Sequence, residues 1–294
     1  MSQTITKSPN HQITKSYRHC RQVARERAGN FYYSFIVLPT ERRRAICAVY
    51  AFMRYCDDMV DEGGSNAEKR TQLDQWRDGL DEVYASSNGL SHPILPAFQD
   101  TVEQFSIPKS YFEAIIDGAE MDLSVTRYPT FEDLYQYCYR VASAVGLVCI
   151  HIFGFTDESA KRYAESCGIA FQLTNILRDI QEDVEMDRVY LPQEDLEAYG
   201  YTEEDIRQGV IDDRFTQLMA FEVDRAKKHY EEALPLLPLI HPSSRACLAA
   251  MIRIYRQNLY EIERRNYDVY RRRIGLSAWK KLAIAAQALI QKRV

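Results

Sequence analysis

Two short stretches of the chain carry the side chains best suited to chemistry. In the first, ERRRAICAVYAFMRYCDDMVDE, Asp57 and Asp61 stand four residues apart near the end of a run without Gly or Pro. Residues at that spacing lie on one face of a helix, about 6 Å apart along its axis. Two carboxylates placed in this way repel each other at the negative end of the helix dipole. A bound divalent cation would relieve both effects.

The second stretch, FQLTNILRDIQEDVEMDRVYLP, repeats the four-residue pattern with Asn175, Asp179 and Asp183. Between them, Ile176 and Leu177 are expected to hold the helix in the core. Carboxylate and amide oxygens suit hard cations such as magnesium. An EF-hand fits neither stretch, because neither has the DxDxDG ligand spacing.

Either cluster alone would be typical of an exposed, charged helix end, but the two share three features. Their polar residues recur every four positions, the surrounding helix is apolar, and an arginine lies within one turn, Arg54 in the first and Arg178 in the second. A site for magnesium and a diphosphate group accounts for all three features. A non-catalytic helical scaffold, the alternative from another class of protein, would not need them.

The elements that position these residues are predicted to be helices. Strand signals are nearly absent, and apolar residues recur at three- and four-residue spacing. We predict a disordered polar tail over 1–16 and one all-α domain over 17–294. The segment 189–209 is expected to hold a lid or a short helix. The predicted helices are 17–28, 41–62, 67–86, 109–124, 130–153, 157–186, 213–236, 243–270 and 277–292.

Composition narrows the class of protein. A net charge of −5 gives no basic field, so nucleic acid is not an expected partner. Seven scattered cysteines without a CxxC pair indicate a reduced, intracellular protein. No stretch is expected to reach transmembrane length, which favours a cytoplasmic protein. The last helix is amphipathic and basic, so peripheral contact with the inner face of the membrane is an alternative to packing on the domain. Nothing in the sequence specifies an oligomeric state.

At these residues the sequence resembles the squalene and phytoene synthase family, from FYYSF at Phe31 to RRRIGLS near Ser277. The stretches that carry the resemblance are the two acidic motifs, GAEMDL at 118–123 and YCYRVASAVG at 137–146. The resemblance implies a single-domain isoprenoid synthase bundle around a central cavity. It also implies two or three magnesium ions held by aspartate-rich helices that face each other.

Individual roles follow from the resemblance, position by position. It implies catalytic roles for Tyr137, Tyr190 and Arg178. The implied magnesium ligands are Asp57, Asp61, Asn175, Asp179 and Asp183. The implied substrate contacts are Phe31, Phe35, Arg54, Gln172, Asn175, Arg188, Tyr255 and Arg272. Glu120 and Asp122 in GAEMDL are predicted to belong either to the site wall or to a salt bridge at a helix end.

The implied reaction is the head-to-head condensation of two farnesyl diphosphates to presqualene diphosphate, and onward to squalene or a related C30 product of hopanoid or carotenoid biosynthesis. A bulky Phe35 in the cavity wall would shorten the cavity and favour this substrate. The nearest alternative is phytoene synthesis from two geranylgeranyl diphosphates, and a terpene cyclase is more distant. The chain has no glycine-rich nicotinamide fingerprint, and the resemblance leaves NADPH open as a second cofactor.

Overall fold

The regular structure of the chain is almost entirely helical. The structure, a computed structural model, describes residues 9–87 and 90–291. Within these ranges the extended pairing amounts to two isolated β-bridges. The helices in chain order are α1 Pro9–Arg27, α2 Gly29–Phe35, α3 Thr40–Asp61, α4 Asn66–Tyr84, α5 Leu95–Gln104, α6 Lys109–Met121, α7 Phe131–Cys138, α8 Ala144–Phe153, α9 Ala160–Arg178, α10 Ile180–Glu185, α11 Gln193–Ala198, α12 Glu203–Gln208, α13 Asp213–Glu232, α14 Leu236–Leu239, α15 Pro242–Arg264 and α16 Ala278–Gln291.

One hydrophobic core joins α1 to α15. Helix α3 has an apolar face that is buried over most of its length. It ends at Asp61, because Glu62 has an extended conformation and is followed by Gly63 and Gly64. The next helix restarts at once, because Ser65 and Glu68 form a capping box. The all-α, single-domain architecture predicted from the sequence is confirmed.

The run from α7 to α8 is the helix around which the bundle is arranged. The two helices are continuous through a π-helical turn, Tyr139–Ser143. The run from Phe131 to Phe153 is long and apolar enough to cross a membrane by length and composition, contrary to the expectation for the sequence. It packs against α6 and α9 and half of its apolar window is buried, as in the core helix of a bundle.

Helix α9 lies against this π-helical turn at a glycine. A Cβ atom on Gly168 would lie 2.5 Å from the Cα of Ser143, a distance that no side chain tolerates. Glycine therefore permits the two helices to approach with their backbones almost in contact. This approach sets the position of the second acidic cluster relative to the central helix.

Several boundaries differ from those predicted. Helix α1 begins at Pro9, so residues 9–16 of the predicted disordered tail are helical, and residues 1–8 lie outside the described ranges. The start of this helix was missed because its sequence is polar and shows no apolar face. Its inner side is attached through hydrogen bonds: the Ser16 hydroxyl donates to the Pro93 carbonyl at 2.7 Å and accepts from the Ala97 N–H at 3.0 Å. Helices α2, α5 and α14 were not predicted, and 189–209 holds two short helices, α11 and α12.

Candidate active site

An apolar cavity of about 360 Å³ opens between α3 and α9, which both contribute to its wall and both pack against α8. Polar side chains gather at one end, which we call the mouth; they are Arg54, Asp57, Asp122, Gln172 and Asn175. The remaining wall includes Phe35, Ile46, Val49, Met53, Ile115, Val141, Val145, Cys149, Ile150, Phe153, Phe171, Leu236, Leu248 and Met251. The cavity therefore has a charged mouth and an apolar interior.

The first acidic cluster lies on the last turns of α3. Arg54 donates from its Nε to Asp58 Oδ1 at 2.7 Å, and Arg27 of α1 reaches the same oxygen at 2.6 Å. Two arginines thus hold Asp58. Asp57 and Asp61 lie farther from Arg54, at 3.9 and 3.7 Å, with more than half of each side chain exposed in the mouth. These two carboxylates, which are predicted magnesium ligands, are less tightly paired than Asp58.

The second cluster keeps its one-turn spacing across a break in the helix. Helix α9 ends at Arg178, and Asp179 has the non-helical angles φ −106°, ψ 17°. The ladder nonetheless continues, because the Asp179 N–H donates to the Asn175 carbonyl and the Asp183 N–H to the Asp179 carbonyl, both at 2.9 Å. The predicted single helix over 157–186 is therefore two helices, with the three oxygen-bearing residues still one turn apart.

A carboxylate at the C-cap of α6, Asp122, interacts electrostatically with both clusters. Asp122 lies in the mouth, and its charge acts on both Asp57 and Asp183. Its neighbour in sequence, Glu120, instead pairs with Arg77 at 2.8 Å on the outer surface. The two alternatives predicted for GAEMDL are thus divided between its two acidic residues. The motif places Asp122 two residues after Glu120, which turns it to another face of the helix end.

Three tyrosines form a stack beside Asp122. The ring centroids of Tyr137 and Tyr190 are 5.2 Å apart, and that of Tyr128 lies 5.4 Å from the first and 5.9 Å from the second. The Tyr190 hydroxyl donates to Asp122 Oδ1 at 3.2 Å, and the Tyr137 hydroxyl lies 3.4 Å from Oδ2. Burial raises the pKa of both phenols, so both are neutral. Tyr137 and Tyr190, the two tyrosines with implied catalytic roles, therefore lie in contact. Tyr128 was not singled out from the sequence, because no motif distinguishes it from the other tyrosines.

Arg188 lies between the acidic groups of the mouth. Its guanidinium donates to the Asp122 carbonyl at 3.2 Å and interacts electrostatically with Asp61 and Asp183. Although more than half of the Asp57 side chain is accessible to solvent, the protein that surrounds the concave mouth disfavours its charge and raises its pKa to about 7, opposed by Arg54 and reinforced by Asp61 and Asp122. The same cause, reinforced by Asp179, raises the pKa of Asp183 to about 7. The mouth therefore holds more negative charge than its arginines neutralise.

On α15, Tyr255 supports the second cluster from behind. Its ring stacks on Phe171 with centroids 4.2 Å apart, and burial raises the pKa of its phenol to about 12 despite Arg178 and a hydrogen bond with Asn175. The Asn175 amide also donates to Gln172 Oε1 at 3.3 Å. Arg178 forms an ion pair with Asp179 through its Nε at 2.8 Å. These predicted residues all lie at one end of the cavity.

The three remaining predicted substrate contacts are Arg272, Phe35 and Phe31. Arg272 is exposed, and its backbone carbonyl accepts from Arg265. Its neighbour Arg273 lies 3.7 Å from Asp179 and 3.1 Å from Glu182, so the RRR motif brings a different arginine beside the second cluster, and the substrate contact predicted for Arg272 stays a prediction. Phe35 lines the cavity as predicted, with its ring edge-on to Tyr50. The side chain of Phe31 lies outside the described residues.

The donor set suits magnesium in combination with a diphosphate. In the described ranges no three Asp, Glu, His or Cys side chains are gathered closely enough to enclose an ion by themselves. Magnesium usually takes one or two carboxylates and completes its shell with water and substrate phosphates, which is what the separated pairs of this mouth allow. Asp57 with Asp61 would hold one group of ions, and Asn175, Asp179 and Asp183 the other.

This site and the all-α bundle define a prenyltransferase of the isoprenoid synthase type. The chain belongs to the squalene/phytoene synthase family, whose model matches residues 24–280. It is 38% identical over 295 residues to a phytoene synthase of Arthrospira platensis, covering 95% of this chain and 94% of that protein. It is 41% identical over 281 residues to a phytoene synthase of Mycobacterium tuberculosis, covering 95% and 92%. Family members are prenyltransferases that act on prenyl diphosphates.

Solved structures agree on the fold. A dehydrosqualene synthase in complex with ligand superimposes with a TM-score of 0.88 at 26% identity, covering 97% of this chain and 99% of that one. The squalene synthase HpnC of Alicyclobacillus acidocaldarius gives 0.83 at 29% identity, covering 88% and 97%.

The predicted substrate is corrected by these relatives. Proteins named phytoene synthase are 35–41% identical over nearly the full chain, which contradicts the farnesyl and presqualene diphosphate function and favours its phytoene alternative. The structure shows why Phe35 was a poor guide. Its ring packs edge-on to Tyr50, whose side chain interacts electrostatically with Arg54 and Asp57 of the mouth, so Phe35 does not lie at the far end of the cavity. The cavity continues past it to Ile46 and Phe153.

Proposed function

We propose that this enzyme joins two geranylgeranyl diphosphates head to head to form phytoene. The full-length similarity to phytoene synthases carries the choice of substrate. The cavity agrees with it: its lining follows the α7–α8 run from Tyr137 to Phe153, sixteen residues or about 24 Å. Small side chains along that wall, Ala142, Gly146 and Cys149, leave the interior wide.

The mouth supplies the binding of the diphosphates. Asp57, Asp61, Asn175, Asp179 and Asp183 would hold magnesium, which neutralises the charge that develops on the leaving diphosphate. Among the described residues, four arginines lie beside those carboxylates: Arg54, Arg178, Arg188 and Arg273. They bind and orient the phosphate oxygens, and their charge stabilises the diphosphate as the carbon–oxygen bond breaks.

The interior protects the allylic cation that remains. Its wall is apolar apart from the mouth, so water is kept from the cation until the double bond of the second chain attacks. The stacked rings of Tyr137 and Tyr190 offer π density at the junction of mouth and interior, worth about 0.5–2 kcal/mol per ring. The attack, with loss of a proton, gives a cyclopropylcarbinyl diphosphate, which then releases the second diphosphate at the mouth. The rearranged carbocation loses another proton to give the hydrocarbon, so the reaction consumes no hydride.

Product analysis tests this function. Purified protein is incubated with magnesium and either geranylgeranyl or farnesyl diphosphate, without reductant, and the hydrocarbons are extracted and identified. We expect phytoene from the longer substrate as the main product. Farnesyl-derived hydrocarbon as the preferred product, or release of a cyclised C20 alcohol or olefin, would overturn the proposal. Asp57→Asn serves as the inactive control, because it removes a magnesium ligand without altering the interior.

A further inference from the structure

The last helix carries its large apolar side chains on the outside. Trp279 is 81% exposed and Ile290 is 67% exposed, and Leu282 and Leu289 are exposed beside them. Positions 279, 282, 286, 289 and 290 fall on one face of a helix. The opposite face, which contacts the protein, is made of Ala285 and Ala288 with Ile284 beside them. An ordinary docked helix places its largest apolar residues inward, so α16 has the reverse arrangement.

The attachment of α16 to the body is thin. It packs against α15 and α2, and its buried contacts belong to a small alanine cluster that is separate from the main core. The Lys281 ammonium lies 5.7 Å from the centre of the Tyr33 ring of α2. Helix α2 also carries Phe35 of the cavity wall. The exposed face therefore belongs to a helix that packs against an element of the cavity wall and does not itself line the cavity.

The charge around this face is strongly positive. Residues 269–294 contain seven Lys and Arg and no Asp or Glu, in a chain whose net charge is −5. Lys280 is exposed next to Trp279, and in the preceding segment the side chain of Arg271, which pairs with Asp268, is 85% exposed. A large apolar surface flanked by basic residues, with a tryptophan at one end, is typical of a helix that lies in the interface of an anionic bilayer.

We propose that α16 docks this enzyme on an anionic lipid membrane, with Trp279, Leu282, Leu289 and Ile290 entering the acyl boundary. A second copy of the chain is a poorer occupant. The commonest closed dimer has twofold symmetry and would place the same basic segment on both sides of its interface, whereas anionic headgroups complement it. Together with the proposed function, which gives substrates and a product soluble in lipid, docking would set the cavity beside the phase that stores them.

Vesicle flotation of the full chain tests the docking without any substrate. We expect binding to vesicles of equal parts phosphatidylglycerol and phosphatidylcholine, and much weaker binding to phosphatidylcholine alone. The double variant Trp279→Gln, Leu282→Gln should weaken binding by about tenfold or more, because it removes apolar area from the inserted face. Lys280→Gln should weaken it by about fivefold on anionic vesicles only. Gln287→Asn, an exposed polar exchange on the same helix, should leave it unchanged.

Tryptophan fluorescence gives a second readout. The chain has two tryptophans, and Trp76 is buried, so a shift of emission to shorter wavelength on adding vesicles reports Trp279. Unchanged emission and no flotation on anionic vesicles would overturn the docking. So would a lipid-free dimer that the double variant converts to monomer, because the face would then belong to a second copy.

An activity assay separates the docking from the proposed function. The double variant is expected to turn over detergent-dispersed geranylgeranyl diphosphate as fast as the parent protein. If neither protein turns it over, that result counts against the proposed function and not against the docking.

Discussion

At the scale of single residues, the protonation of the carboxylates in the mouth is expected to control cation binding. The pKa of Asp57 and of Asp183 is raised to about 7, well above the usual value for Asp, so these two side chains bind more protons in the metal-free folded protein than in the unfolded chain between about pH 4 and pH 7, and they lower its stability as they ionise. Their contribution to stability is therefore expected to fall as pH rises through this window. A cation must displace the protons before it can bind these carboxylates.

Stabilisation by magnesium should accordingly increase with pH. For each proton displaced, magnesium affinity is expected to fall about tenfold per pH unit below about pH 7. Thermal unfolding with and without magnesium and inorganic diphosphate, between about pH 5.5 and about pH 8, measures this shift. The Asp57→Asn variant should show a shallower dependence. A magnesium shift that is constant over the range would contradict the raised pKa values.

Asp122 provides the sharpest residue test, because its neighbour offers a matched control. Its carboxylate accepts from Tyr190 and faces both clusters, whereas Glu120 lies in an outer ion pair with Arg77. Asp122→Asn is expected to lower kcat by about 100-fold, the effect of losing one preorganised electrostatic group. Glu120→Gln should change kcat by less than about twofold, since surface ion pairs contribute little. Equal losses in both variants would assign Asp122 a merely structural role.

At the scale of elements, the approach of α9 to the central helix decides where the second cluster lies. Gly168→Ala would place a Cβ 2.5 Å from the Ser143 backbone, which cannot move aside as a side chain could. We expect a loss of about 1–3 kcal/mol in the free energy of unfolding from this overpacking. Gly79→Ala is the matched control: its Cβ would meet Leu95 at an ordinary 3.5 Å, so the same exchange should stabilise α4 by about 0.5–1 kcal/mol.

Urea denaturation of both glycine variants compares the two outcomes directly. The midpoint should fall for the first and rise for the second, with similar m-values. An unchanged midpoint for Gly168→Ala would mean that α9 can shift outward without cost. In that case the helix contact would not determine the position of Asn175, Asp179 and Asp183, and activity should be retained as well.

At the scale of the whole molecule, the proposed function predicts that the length of the cavity selects the substrate. Cys149 lies in the wall three turns beyond Tyr137 along the α7–α8 run. Cys149→Phe should obstruct the end of a twenty-carbon chain more than that of a fifteen-carbon chain. We expect the ratio of geranylgeranyl to farnesyl diphosphate turnover to fall about tenfold or more, and Cys149→Ala to leave it unchanged. Competition between the two substrates in one reaction measures the ratio, and an equal loss for both would place the obstruction nearer the mouth.

The sequence by itself determined the helical class, the stacking of Asp57 on Asp61 and the ladder Asn175–Asp179–Asp183. These features depend on one helix at a time, and four-residue spacing can be read directly from the chain. Tertiary packing alone decided that Asp122 and not Glu120 faces the clusters, that Arg273 and not Arg272 reaches Asp179, and that the cavity continues past Phe35. Such outcomes depend on which helix lies opposite and how closely it approaches, and no local pattern records that distance.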